Sequence, residues 1–253
     1  RLALPLLLGT AYAASVGGVG TLVGTPPNVI FAGVYEDQFG DDQRFGFASW
    51  MAIGVPVVVL MLPIMWLWLT RSLRGEGREI EVPHPGAWRA AEKRVLVVFV
   101  LTAAAWIFLK QPGGGWSALL GDASKGVGSD TVALLSVAAL FVVPDGVGGR
   151  LLDWDAAKRI PWGLLLLFGG GLAIARAFDA SGLSDSLGAL LAGVATWPTW
   201  ALVFAVCLFV TFLTEVTSNT ATTSLLMPIL AAAGKAANID AAVLMVPAAL
   251  SAS

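Results

Sequence analysis

Long apolar runs separated by short polar stretches dominate the chain. The clearest run, Phe47–Leu69, has 23 residues without a charge. As a helix it would be about 35 Å long, enough to cross a bilayer with some tilt. We expect further membrane segments at Val95–Leu109, Thr131–Val143, Ile160–Ala175, Trp200–Leu213, Ser224–Ala233 and Ala241–Ser253. Several of these are shorter than the roughly 20 residues that a simple span needs.

Two apolar stretches are interrupted by residues that disfavour a continuous helix. Glycines and prolines break Leu2–Val34 near its middle, which predicts a broken helix over 1–34. In Trp200–Ala233, a polar segment from Thr211 to Ser224 lies between two apolar arms. We therefore predict a re-entrant hairpin over 200–233 that turns at Ser218–Thr220. Polar backbone at membrane depth is tolerated where it is buried in protein or lines a wet cavity.

Composition strengthens the membrane interpretation and excludes other classes. The chain is 57% apolar and 13% charged, against about 25% charged in soluble domains. A net charge of −2 gives no indication of nucleic-acid binding, and a single cysteine, Cys207, excludes a disulfide framework. The sequence predicts an all-α, polytopic membrane protein in contact with the lipid bilayer.

The distribution of loop charges predicts an orientation. The 70–94 loop is expected in the cytoplasm because it contains Arg71, Arg74, Arg78, Arg89, Lys93 and Arg94. The 144–160 loop, with three basic residues, is expected on the same side. The acidic 35–46 loop and the 110–130, 176–199 and 234–240 stretches are expected outside. Most tryptophans flank apolar runs and suggest an interfacial belt, namely Trp50, Trp66, Trp68, Trp116, Trp162, Trp197 and Trp200.

The polar segment of the predicted hairpin is the first candidate binding site. Nine hydroxyl or amide side chains lie within Thr211–Ser224. The start of the second arm adds free N–H groups and a helix dipole, which favour an anion. Carbonyls that end the first arm could hold a cation such as Na⁺. The alternative is ordinary hydrogen bonding between helices. Glu215 is either a functional acid within the membrane or a carboxylate that only supports the hairpin backbone.

The second candidate is the glycine- and proline-rich segment Ser15–Asn28. Its glycines permit helix breakage, and Pro26 and Pro27 remove two N–H donors. A helix unwound here would expose carbonyl oxygen at Gly24 and the hydroxyl of Thr25. The alternative is a kinked helix that packs through small residues. The glycine spacing does not indicate a dinucleotide loop, because no βαβ pattern surrounds it.

A triple glycine within Pro161–Ala175 and one histidine complete the candidates. For the glycines at 169–171 we favour close helix packing over a helix break near a cavity. His84 lies in the basic loop and is expected to be solvated.

Together these three stretches resemble the divalent anion:sodium symporter family, whose members transport succinate, malate, fumarate, citrate or sulfate. The matching motifs are Ser218-Asn219-Thr220 within Thr214–Thr222, Gly24-Thr25-Pro26-Pro27-Asn28, and the Gly-Gly-Gly run after Leu167. They occur in the family's order.

The resemblance implies a homodimer of inverted repeats that works by an elevator motion. It implies that a small dianionic carboxylate binds to Ser218, Asn219, Thr220, Thr25 and Pro26. It also implies that Na⁺, as the coupling ion, binds to Thr214, Ser218, Asn219 and Gly24. No organic cofactor is implied.

The family pattern contains each motif twice, whereas this sequence contains one Ser-Asn-Thr and one Thr-Pro-Pro-Asn. We therefore expect 1–253 to be an incomplete transport domain with connecting scaffold helices, a fragment that lacks both ends. Within it we expect the broken helix at 1–34, spanning helices at 47–178, the hairpin at 200–233 and the start of a second broken helix at 241–253.

The expected function is Na⁺-coupled transport of C4-dicarboxylates in a multi-pass protein of a bacterial inner membrane. Exchange of di- or tricarboxylates without Na⁺ and sulfate transport remain open. An enzyme is not expected, because an intramembrane hydrolase using Ser218 would need a base, and no His or Lys lies in an apolar segment. A membrane sensor that binds without transport is a further alternative.

Overall fold

The computed structural model describes residues 3–40, 45–71, 86–110, 114–183, 186 and 197–253. Within them the secondary structure is helical, and the exception is an isolated antiparallel bridge between Pro144 and Arg150. The α-helices are α1 (Ala3–Val19), α2 (Pro26–Phe39), α3 (Phe47–Thr70), α4 (Ala90–Ile107), α5 (Ser129–Val142), α6 (Trp154–Ala157), α7 (Trp162–Ser181), α8 (Thr199–Thr214), α9 (Asn219–Ala237) and α10 (Ala242–Ser251). A 3-10 helix, Trp116–Gly126, lies between α4 and α5.

The chain forms two compact units. The first comprises Arg1–Leu73 and Trp162–Ser253, and the second comprises Arg74–Pro161. In the first unit α1 packs on α3, while α2 packs on α7, α9 and α10, and α10 also packs on α8. In the second unit α4 packs on α5.

The first unit contains a break between α1 and α2. Helix α1 ends at Val19, and residues 20–25 form turns and bends. Helix α2 then begins with Pro26 and Pro27. Proline suits the first turn of a helix, where its missing N–H would have no partner within the helix. The two prolines therefore restart the helix after the break.

A second interruption separates α8 from α9. Four residues, 215–218, connect the two helices. The Ser218 hydroxyl accepts a hydrogen bond from the backbone N–H of Ala221 at the start of α9. Helix α9 ends at Ala237 and is capped by Asn238, which has a left-handed φ of 54°. The turn thus lies slightly earlier than Ser218–Thr220, because Asn219 and Thr220 already belong to the helix.

Polar contacts hold the second unit together. The hydroxyl of Thr102 on α4 donates to the hydroxyl of Ser136 on α5 at 2.7 Å. The guanidinium of Arg94 donates to the Pro144 carbonyl at 2.6 Å, just after α5 ends. In the following loop, the backbone N–H groups of Val147 and Gly149 donate to the Asp145 carboxylate and hold its pKa below the ordinary value.

Only α3 among the described helices is long and apolar enough to cross a bilayer by length and composition. Shorter apolar helices are found at Pro5–Val19, Ser129–Val142, Trp162–Ile174, Thr199–Thr214 and Ala242–Ser251. Large apolar side chains are widely exposed on these helices, for example Leu166 and Phe212. Several residues used to predict the orientation and the loops lie outside the described residues, namely Arg74, Arg78, His84, 41–44, 184–185 and 187–196.

The expectation of an interfacial belt is wrong for Trp50. Its side chain is fully buried, it packs on Phe31 with ring centroids 5.4 Å apart, and its indole N–H donates to the Val19 carbonyl at 2.9 Å. Position beside an apolar run cannot distinguish a tryptophan at the interface from one that binds a helix end inside the protein. By contrast, Trp66 is 62% exposed.

We expect Trp50→Phe to lower the free energy of unfolding by about 1–3 kcal/mol, because it leaves the buried Val19 carbonyl without this donor. Thermal unfolding of the detergent-solubilised protein would measure the change. The control Trp66→Phe, at an exposed position, should shift stability by less than about 0.5 kcal/mol. Equal effects of the two substitutions would contradict this role for Trp50.

Candidate functional site

In the break between α1 and α2, the backbone turns back and packs closely against itself. Hydrogen bonds run from Gly20 N–H to the Gly17 carbonyl at 3.1 Å and from Gly24 N–H to the Thr21 carbonyl at 3.2 Å. A Cβ added to Gly24 would lie 2.2 Å from the carbonyl oxygen of Gly18. Since any side chain would collide with that oxygen, position 24 requires glycine in this conformation.

Carbonyl groups of the break converge on one buried side chain. Asn28 on α2 is fully buried, and its amide nitrogen donates to the Thr21 carbonyl at 2.9 Å. The carbonyls of Gly18 and Val19 lie at 3.5 Å from the same nitrogen. Trp50 also donates to the Val19 carbonyl, so the two side chains provide donors for carbonyls at the end of α1 and just beyond it.

The end of the break presents oxygen atoms and few donors. Gly24 is exposed, whereas Thr25 and Pro26 are partly exposed. Thr25 precedes α2 in an extended conformation, and its side chain makes no capping hydrogen bond. The next two residues, Pro26 and Pro27, have no N–H to donate. Carbonyl and hydroxyl oxygens are suitable ligands for a hard cation such as Na⁺.

The start of α9 has the opposite character. The first N–H groups of a helix have no carbonyl partner within it, and the helix dipole places partial positive charge there. Ser218 and Asn219 are exposed and Thr220 is partly exposed. These donors and polar side chains suit an anionic group.

Behind the tip, hydroxyl groups bind the backbone of the hairpin. Thr217 donates to the Leu213 carbonyl at 2.6 Å, and its hydroxyl lies 2.6 Å from that of the buried Thr222. Thr214 donates to the Thr211 carbonyl at 2.9 Å. Glu215 is exposed at the end of α8. The polar segment therefore contains both a hydrogen-bonded support and an exposed tip.

Helices α2 and α9 run in the same direction. Near their ends, the Lys235 ammonium donates to the Gln38 side chain at 2.9 Å and lies 5.0 Å from the Phe39 ring centroid. Near their beginnings, Ile30 and Ser224 line the same cavity. Contacts in this order require parallel helices, so Pro26 and Asn219 begin their helices at the same end of the unit. The structure thus brings Gly24, Thr25 and Pro26 to the end that also contains Ser218, Asn219 and Thr220.

A small apolar cavity of about 240 Å³ lies along α2, α7 and α9. It is lined by Val29, Ile30, Gly33, Val34, Phe168, Gly171, Leu172 and Ser224. A Cβ added to Gly171 would lie 2.8 Å from the Ser224 Cβ, whereas one added to Gly169 or Gly170 would meet nothing within 4 Å. The packing interpretation of the triple glycine is therefore confirmed at Gly171.

The match to known proteins covers nearly the whole chain. A family model described as "Citrate transporter" matches residues 1–252. The chain belongs to this citrate transporter family. The resemblance to symporters of divalent anions is thereby confirmed, and the family consists of transporters rather than enzymes.

Curated relatives in this family are named sodium-dependent dicarboxylate transporter SdcS. The protein of Staphylococcus saprophyticus is 37% identical over 262 residues, which is 98% of this chain and 49% of that protein. The protein of Staphylococcus aureus strain bovine RF122 is 38% identical over 261 residues, with the same shares of the two chains. The chain therefore spans about half the length of the curated relatives that it matches.

Two side chains that position the site were not among the candidates selected from the sequence. In the sequence Asn28 stands out only as the last residue of a motif, and the position of Trp50 suggests an interfacial belt. An amide directly after two prolines in an apolar segment was the available signal for Asn28. For Trp50 no local signal existed, because the residue that it binds lies 31 positions earlier.

We expect Gly24→Ala to lower the free energy of unfolding by about 1–3 kcal/mol, because the new methyl group would displace the Gly18 backbone. The matched control is Gly17→Ala in the same segment, where an added Cβ meets nothing within 4 Å. Thermal unfolding of the two purified variants would measure the difference. Unchanged stability of the Gly24 variant would show that the backbone does not approach so closely.

Proposed function

We propose that this chain contributes to a site for Na⁺-coupled transport of C4-dicarboxylates such as succinate, malate and fumarate. The main support for this proposal is that α2 and α9 are parallel and begin at the same end of one unit. The start of α9 presents N–H groups and polar side-chain donors, and the residues just before α2 present carbonyl and hydroxyl oxygens. A site that binds an anion together with a cation needs both kinds of group.

The proposed substrate contacts follow from this difference. Ser218, Asn219 and Thr220 would bind a carboxylate through their side chains and the first N–H groups of α9. The Thr25 hydroxyl and the Pro26 ring would contact the same substrate from the start of α2. Partial positive charge at both helix starts would lower the free energy of the bound dianion.

Na⁺ would be bound by oxygen ligands at both interruptions. The Gly24 carbonyl would serve one ion at the break, while Thr214, Ser218 and Asn219 would serve a second at the hairpin. Among the described residues no group of three or more His, Cys, Asp or Glu could hold a metal ion. Neutral oxygen donors suit a monovalent cation whose binding is coupled to that of a dianion. The relatives' names, which specify sodium dependence, support this assignment.

The proposal extends to the complete protein in the membrane. We propose a multi-pass transporter of the bacterial inner membrane that is built from inverted repeats and works as a homodimer by an elevator motion. In that protein, residues 1–253 would form an incomplete transport domain with connecting scaffold helices. The exposed apolar faces of α3, α8 and other helices are suited to contact with lipid.

Transport assays on the complete protein test the proposal. Purified transporter in proteoliposomes would be given radiolabelled succinate with an inward Na⁺ gradient or with K⁺ in its place. Each condition would be run with and without succinate inside. Uptake that needs Na⁺ and not internal succinate would support the symporter. Uptake that needs only internal succinate would identify an exchanger, and uptake of sulfate but not succinate would reassign the substrate.

We expect Ser218→Ala and Asn219→Ala each to reduce kcat/KM for succinate about 10- to 100-fold, the effect of losing a hydrogen bond to a charged group. The matched control is Thr10→Ala, which removes an exposed hydroxyl on α1 that binds its own helix at Leu6. Initial rates of uptake at saturating Na⁺ would measure the change. Wild-type rates in both hairpin variants would remove these residues from the binding site.

A further inference from the structure

The side chain of Asn28 is buried between two different environments. Its amide nitrogen faces the carbonyls of the break, with the Thr21 oxygen at 2.9 Å. Its own carbonyl oxygen is buried and has no hydrogen-bond partner among the described residues. An unpaired buried polar atom destabilises a protein, so packing alone would favour an apolar residue at this position.

The hydrogen bonds that the amide nitrogen donates explain why residue 28 is polar. The carbonyls of Gly18 and Val19 belong to the last turn of α1 and that of Thr21 lies beyond it, yet all three lie within 3.5 Å of one nitrogen. The same Gly18 carbonyl oxygen lies against Gly24, where an added Cβ would be 2.2 Å away. The amide therefore fixes the backbone segment around Gly18, against which Gly24 packs.

From this geometry we infer that Asn28 is a positioning residue for the cation site: its amide fixes the α1–α2 break in the shape that orients the Gly24 carbonyl, and so sets the affinity for Na⁺. The inference rests on the proposed function, in which Gly24 provides a ligand for Na⁺. Asn28 acts through the backbone and contacts neither ion nor substrate. Its loss should weaken Na⁺ binding much more than it slows transport at saturating Na⁺.

Two substitutions separate the donor from the acceptor of this amide. Asn28→Leu removes both, and Asn28→Asp keeps an oxygen but loses the N–H donor. In the complete transporter in proteoliposomes, we expect both to raise the Na⁺ concentration for half-maximal succinate uptake about 5- to 30-fold. The maximal rate and the KM for succinate at saturating Na⁺ should stay within about threefold of wild type. The matched control is Asn238→Asp, at an exposed position that ends α9, and its Na⁺ dependence should be that of wild type.

Three results would overturn the inference. An unchanged Na⁺ dependence in both folded variants would show that Asn28 does not set cation affinity. A wild-type Na⁺ dependence in the Asp variant alone, at a pH where its carboxyl group is ionised and cannot donate, would assign the role to the oxygen and not to the donor. Equal losses of maximal rate and Na⁺ affinity would indicate general damage to the fold.

Folding and the proposed function are checked separately. Should the Leu variant not fold, Asn28→Ala replaces it with the same expectation, since alanine has no donor for the Thr21 carbonyl and no group that could bind the Gly24 carbonyl. Hydrogen exchange provides an independent readout, because residues 20–25 should exchange faster in the Asn28 variants even without Na⁺. Wild-type uptake that is independent of Na⁺ would refute the proposed function itself, whereas Na⁺-dependent wild type with unaltered variants would refute only the role of Asn28.

Discussion

Two buried side chains donate hydrogen bonds to backbone carbonyls at the α1–α2 break. The rest of the site depends on this interaction. Asn28 binds the Thr21 carbonyl and Trp50 binds the Val19 carbonyl. A helix that is interrupted in an apolar environment leaves carbonyl groups that water cannot satisfy. Because these two donors come from α2 and α3, the break is stable only when three successive segments are packed together.

The two interruptions of the unit solve the same physical problem in different ways. At the α1–α2 break, prolines remove donors and leave oxygen atoms at the end that precedes α2. At the α8–α9 turn, Ser218 caps the helix, and hydroxyls such as Thr217 bind the backbone behind it. The residues before α2 therefore offer oxygen ligands to a cation, whereas the start of α9 offers donors to an anion. Parallel packing of α2 and α9 places both at one end, which the proposed coupling of ion and substrate requires.

Glycine residues allow the backbone and the helices around the two interruptions to pack closely. Gly24 lies against the backbone of Gly18, and Gly171 on α7 lies against Ser224 on α9. In both places a methyl group would displace a neighbour. The glycines beside them differ: Gly17, Gly169 and Gly170 have open space where a Cβ would be. A run of glycines in the sequence thus mixes positions that need the residue with positions that do not.

Apolar runs and punctuation by glycine and proline were enough to predict a helical membrane protein and most of its longer helices, although α2 extends into the expected 35–46 loop and α6 lies in the expected 144–160 loop. These features are local, since an apolar run and a proline act on the residues beside them. The sequence motifs also indicated the family. Tertiary structure alone decided that Trp50 is buried, that the Asn28 amide faces the carbonyls of Gly18, Val19 and Thr21, and that α2 and α9 are parallel. Each depends on how the folded segments pack against one another, which no local pattern specifies.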